Sequence, residues 1–147
     1  MNRIYPKKSY KLFVLWLILL FVVLLAVSYF EVGVDSIGAG KAVGITLCLL
    51  LDFLFVLIFF TESIYWINGV TYEEAEQAEP EARKRYAFRH LKVFLVATAV
   101  YLFYCFVLSP CFSLGIISDS LMAGAVICIA ALFTIKIHLY MHKLLNE

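Results

Sequence analysis

The sequence predicts an all-α membrane protein, a bundle of four transmembrane helices with a short cytoplasmic helical segment between the second and third. Three observations carry that expectation. Hydrophobic residues make up 64% of the 147-residue chain, against roughly 45–50% in soluble domains, and a soluble fold of this size has too little interior to hide them. The apolar residues gather in long runs near the length that crosses a bilayer. The charges stand at the ends of those runs. The whole chain, residues 1–147, reads as one membrane domain.

The first run, Leu12 to Phe30, holds 19 residues, and only Ser28 and Tyr29 among them are polar. At 1.5 Å per residue it covers about 28 Å, close to the hydrocarbon thickness. Four bases precede it (Arg3, Lys7, Lys8, Lys11), and Ala26-Val27-Ser28 offers a small-x-small site like that of a cleaved signal. It is read as a retained first span, about 12–30. Gly33, Gly38 and Gly40 mark the external turn that follows. The second span, about 42–63, is apolar from Ala42 to Phe60 except for Asp52 near its centre, and it ends in Tyr65-Trp66, an aromatic pair suited to the headgroup boundary.

The polar segment 68–92 comes next. Asn68-Gly69 breaks the helix, and Thr71 with Glu74 three residues later has the spacing of a capping box. Pro80 interrupts the short helix, and a new one starts around Glu81, with Glu81 and Arg85 as a favourable i,i+4 pair. The third span, about 93–109, ends at Pro110. The connection from Pro110 to Asp119 is unusually apolar, so the fourth span, about 120–140, has an early start near Cys111 as its alternative, which would carry Asp119 inward. Eleven of the twelve bases lie on one side of this alternating layout, Lys41 being the exception. That side is therefore expected to be cytoplasmic, with both termini on it, in a plasma or inner membrane.

Composition and motifs exclude several functions. A net charge of +1 leaves no basic face for nucleic acid. Cys48, Cys105, Cys111 and Cys128 form no CxxC and have no neighbouring histidine, so they read as small apolar fillers, with Cys111 the best placed for redox pairing. His138 and His142 have the i,i+4 spacing at which two imidazoles share a metal, but the further ligands would have to come from His90 or a cytoplasmic carboxylate. No metal and no cofactor is expected, and no nucleophile–base pair suggests an enzyme.

Asp52 carries the most information. An acid at a helix centre costs roughly 2.5–3.5 kcal/mol to insert, so it must face the bundle interior, a partner subunit or a water-filled cavity, protonated or hydrogen-bonded. Thr98, Tyr101, Cys105 and Ser109 recur at i, i+3, i+7 and i+11 on the third span, one polar stripe. Depth suggests an Asp52–Tyr101 hydrogen bond extended by Thr98 or Cys105, serving either as a proton or ion site or as interhelical polar glue. Lys41 is 11 residues from Asp52, about 16 Å, and too far to pair with it. Glu62 is expected to pair with Lys136 or Lys92 near the inner interface, or to gate the path below Asp52. Arg83, Lys84, Arg85 and Arg89, flanked by Tyr86 and Phe88, suit anionic lipid headgroups. Small residues in the fourth span (Gly124, Cys128 and Ala131; Ala123 and Ala130) suit close helix packing within the chain or in an oligomer.

Two functions follow from this reading. One is a small, oligomeric proton- or cation-linked transporter or channel that uses Asp52. The other is an accessory, immunity or interaction subunit acting through its cytoplasmic segment and helix faces. The expected partners are the bilayer, its anionic headgroups, and further copies or a larger membrane complex.

Overall fold

A computed structural model describes residues 5–31, 36–67 and 69–145, with backbone alone at 30, 31, 36, 37, 39, 136 and 138–145. The described residues are helical and contain no strand. Helix α1 spans Lys11–Glu31 and α2 Ser36–Thr61, followed by a 3-10 turn at Ile64–Trp66 and a short α3, Tyr72–Gln77. Helix α4 (Pro80–Phe103) runs on through a π-helical turn (Tyr104–Leu108) and a last α turn (Ser109–Cys111), and α5 spans Ile116–Leu145. Four helices are long and apolar enough to cross a membrane. Their outward faces, with Leu25, Phe60, Phe106, Ile117 and Leu121 largely exposed, have the apolar surface that suits lipid rather than water.

Several boundaries differ from those expected. Helix α2 starts at Ser36, so Gly38 and Gly40 lie within it rather than in a turn. Helix α4 starts at Pro80, where the missing N–H is one that a helix start leaves unpaired anyway. The polar segment is therefore short, and its second half forms the first turns of the third span. At its start, Thr71 and Glu74 make the full capping box: Glu74 N donates to Thr71 Oγ1 at 3.2 Å and Thr71 N donates to Glu74 Oε2 at 2.8 Å.

The core is the seam between α2 and α4, with α5 packed along it and α1 mainly against α2. Helix α1 contributes little buried surface beyond Trp16, whose indole N–H donates to the Leu50 carbonyl at 3.0 Å. The closest approach of the seam is at Gly44. A Cβ there would stand 2.3 Å from the Tyr101 hydroxyl oxygen, so the phenol occupies the room a side chain would need. Lower in the seam, Phe55 stacks on Phe94 (4.5 Å between centroids) and on His90 (6.0 Å). These contacts place α2 and α4 in a single antiparallel register.

The far end of α4 is shaped by its π turn and Pro110. The wide turn keeps Ser109 on the inner face, where it is 1% exposed. The helix then closes with Leu114 N donating to the Ser109 carbonyl (3.0 Å) and Ser113 N to that of Pro110 (3.3 Å), the pattern of a Schellman cap. Ser113 takes the left-handed position (φ 50°) at a cost of about 1 kcal/mol for a non-glycine residue. This tight reversal lets α5 begin at Ile116, with Asp119 in its first turn and fully buried.

Gly44→Ala forces Tyr101 out of its seat and is expected to cost about 1–3 kcal/mol, the range for overpacking. Gly124→Ala, where a Cβ meets nothing within 4 Å, is expected to leave stability within about 0.5 kcal/mol. Thermal unfolding of the two variants in one detergent compares them directly.

Candidate functional site: a polar string through the bundle

The polar residues of the interior form three levels along the α2–α4–α5 seam. At the end away from the N-terminal segment, Asp119 is 1% exposed and accepts from Tyr104 Oη at 2.8 Å and from Ser109 Oγ at 3.2 Å, both on Oδ1. Lys41 Nζ lies 3.6 Å from its other oxygen. This ion pair was not expected from the sequence. Lys41 belongs to α2 only because that helix starts early, and Asp119 reaches it only through the Ser113 reversal.

The middle level holds Tyr101, Cys105, Cys48, Thr98 and Asp52, all buried. The Tyr101 and Tyr104 rings stack with centroids 6.3 Å apart. The Tyr101 hydroxyl lies by the Cys105 thiol without a well-formed hydrogen bond. Cys48 faces Cys105, and Thr98 on α4 stands beside both Cys48 and the Asp52 carboxyl on α2. Asp52 Oδ1 has no protein partner. At Cys48 and Thr98 there is a partly open space of about 10 Å³, lined also by Ala97 and Val126 among others, near the lower limit for one water molecule.

The expected Asp52–Tyr101 hydrogen bond is therefore absent. Tyr101 is seated over Gly44, two turns of α2 from Asp52, or about 12 Å, and Thr98 is the neighbour of the acid instead. Matching depth along two spans does not settle which residues meet; the helix register does. All four members of the stripe, Thr98, Tyr101, Cys105 and Ser109, are buried, but they serve two acids rather than one.

Below Asp52 the stacked Phe55 and Phe94 interrupt the polar groups. Beyond them His90 is fully buried, with Nδ1 3.0 Å from the Tyr86 carbonyl and its ring packed on Tyr86 at 4.4 Å. His90 entered the sequence reading only as a spare metal ligand. The heptad spacing from Thr98 back through Phe94, His90 and Ala87 to Arg83 was the signal that puts it on the inner face.

The third level closes the basic end. Glu62 follows α2 with φ 57°, and this left-handed residue turns its side chain toward α4. Arg83 donates to Glu62 Oε2 from Nε at 2.9 Å and from Nη2 at 2.8 Å, and from Nη1 to the carbonyls of Ala75 (3.2 Å) and Ala78. The guanidinium thus satisfies carbonyls at the end of α3, where the helix dipole favours a cation. Lys84 Nζ adds a longer contact to Glu62 at 3.7 Å. Tyr5 lies under the guanidinium, 4.4 Å from its ring centroid, and donates to the Glu62 carbonyl at 2.9 Å. Burial pushes the Tyr5 hydroxyl up to about 12, against the opposing pull of Arg83, so it stays a donor at physiological pH. Tyr65 and Tyr72 fix the same segment through the carbonyls of Ser9 (2.8 Å) and Pro6 (3.1 Å).

Two expectations for this end are corrected. Glu62 pairs with Arg83 and Lys84, not with Lys92, which lies nine residues deeper on α4, about 14 Å. The Lys136, His138 and His142 side chains lie outside the described residues. Arg83 cannot hold a lipid headgroup, because it is 4% exposed and its donors are engaged; Lys84, Arg85 and Lys92 are exposed, and Arg89 is half-buried. Cys48 and Cys105 are buried free thiols, and Cys111 and Cys128 are exposed ones. Gly124, Cys128 and Ala131 face outward, while Val126 and Ala130 face the bundle.

The chain matches no known protein family, no curated protein and no solved structure, so its own chemistry has to carry the functional reading.

Arg83→Leu leaves Glu62 without its main partner and is expected to cost about 3 kcal/mol, in the range for breaking a buried pair. Lys84→Ala removes only an exposed contact and is expected to cost under about 1 kcal/mol. Chemical unfolding in detergent ranks the two variants.

Proposed function

We propose that this is an integral membrane protein, with both ends and the α3 segment on the cytoplasmic side, that conducts protons or a proton-linked cation through the α2–α4–α5 seam. The observation that carries the reading is the buried run of hydroxyls and thiols from Asp119 to Asp52: Tyr104, Tyr101, Cys105, Cys48 and Thr98. Ionisable groups inside a membrane protein are costly and commonly mark proton relays. Here two acids lie at different depths, and nearly every residue between them can give or take a proton. The small space at Cys48 and Thr98 has room for about one water, which suits a proton far better than an organic solute.

In this mechanism Lys41 and Asp119 form the outer port, with Tyr104 the first group to pass a proton inward. Asp52 is the central acceptor, with Thr98 beside its carboxyl. The Phe55–Phe94 stack is the barrier, and His90 is the receiving group on the cytoplasmic side. Assembly into an oligomer belongs to the same proposal, since the outward small-residue face of α5 would let copies pack closely.

One observation favours the interaction reading instead. Arg83 holds α3 in a fixed position that exposes Glu73, Glu76, Glu79 and Glu81 beside Lys84 and Arg85, a patterned surface for a cytoplasmic partner.

Purified protein in liposomes loaded with a pH-sensitive dye, driven by a potassium diffusion potential, tests the transport reading. Proton influx is expected above that of protein-free vesicles, and Asp52→Asn is expected to reduce it to background while the protein keeps its melting temperature within a few degrees. Absence of influx in the parent protein would overturn conduction and leave the interaction reading. Phe94→Ala opens the barrier and is expected to raise influx severalfold; a rate at or below that of the parent would remove the stack from the path.

A further inference from the structure

An open groove of about 540 Å³ lies between α4 and α5. Its walls are aliphatic and aromatic, with Val96 and Val100 on one side and Ile129 and Phe133 on the other. Among the described residues, the charged members of its lining are Arg89 and Lys92, and both stand at the end where α5 reaches Ile137. From Val126 to Ile137 the groove follows eleven residues of helix, about 16 Å, or roughly half of a 30 Å hydrocarbon core.

We propose that this groove is a binding site for one anionic phospholipid, with an acyl chain along the helices and the phosphate at Arg89 and Lys92. The length fits one leaflet, from the basic end to the midplane. The charge sits where a headgroup would be, and a guanidinium offers paired donors to phosphate oxygens. The walls offer almost nothing polar, so a water-soluble ligand would leave its own polar groups unpaired. Ala97, Val126 and Ala130 line both this groove and the small space at Cys48 and Thr98, so a bound chain would lie against the wall of the polar string. The inference rests on membrane residence and not on proton conduction.

The test is native mass spectrometry of the detergent-purified full chain after exposure to equal amounts of phosphatidylglycerol and phosphatidylcholine. Retention of one phosphatidylglycerol is expected. Arg89→Gln with Lys92→Gln should weaken it roughly twentyfold, about fivefold for each lost charge near a membrane surface. Arg85→Gln, an exposed base outside the groove, should leave it unchanged. Ile129→Trp, at an exposed wall position, should fill the groove and abolish retention without touching either charge. Equal retention of both lipids, an equal loss with Arg85→Gln, or full retention in Ile129→Trp would overturn the site, as would a dimer whose contact shields Ile129. Release of the protein from membranes by alkaline carbonate would overturn membrane residence itself, a different failure from loss of headgroup preference.

Discussion

The seat of Tyr101 over Gly44 fixes the register on which the rest of the bundle depends. A phenol can lie against the α2 backbone only where a residue has no side chain, and α2 offers that place once along the seam. With that contact made, every later pairing between the two helices follows in antiparallel order: Cys48 with Thr98, Phe55 with Phe94 and His90, Glu62 with Arg83. A slip of one residue would rotate each helix by about 100° and turn Asp52 toward the apolar outer surface, where an acid has no partner. The glycine therefore matters less for flexibility than for setting where the charges go.

The opposite end of the seam is pinned by charge rather than by shape. Arg83 joins the end of α2, the end of α3 and the segment at Tyr5, groups distant in sequence that would otherwise have little reason to meet. A buried ion pair is weak evidence for net stability, because desolvation offsets much of the attraction. Its better-supported role here is specificity: an Arg83 displaced from Glu62 would strand two charges, so alternative arrangements of the cap are disfavoured. The left-handed backbone at Glu62 is tolerated on the same ground, since only that turn aims the carboxylate at α4.

The four long helices were legible because hydropathy and length mark segments apolar enough to cross a bilayer, and the capping box at Thr71 and Glu74 was legible because its chemistry is local. The Asp52 neighbourhood was only half legible. Periodicity placed Thr98 and Tyr101 on one face, but the choice between them depended on the axial offset of two helices, which Gly44 sets and which span-by-span depth does not reveal. The Lys41–Asp119 pair was hidden for another reason. It needs α2 to begin six residues sooner than the apolar run suggests and α4 to end in a Schellman turn with serine where glycine is usual. Glu62 was assigned partners by depth, whereas the backbone reversal beside it decided for Arg83.

These constraints bear on why polar groups are stacked along one seam at all. Simple glue between helices needs one or two hydrogen bonds, worth roughly 1 kcal/mol each in a membrane, and a pair such as Asp52 with Thr98 would suffice. The protein instead buries two acids, two tyrosines and a histidine along the α2–α4–α5 interface, and it leaves Asp52 Oδ1 without a protein partner. Stability alone would favour apolar replacements at these positions. The arrangement is easier to understand if the groups must exchange something along the seam, with Phe55 and Phe94 keeping the two halves apart. On that view, an apolar replacement of Thr98 separates glue from relay. Thr98→Val should cost about 1 kcal/mol if the bond to Asp52 is only glue, whereas a relay also loses its last donor before the central acid.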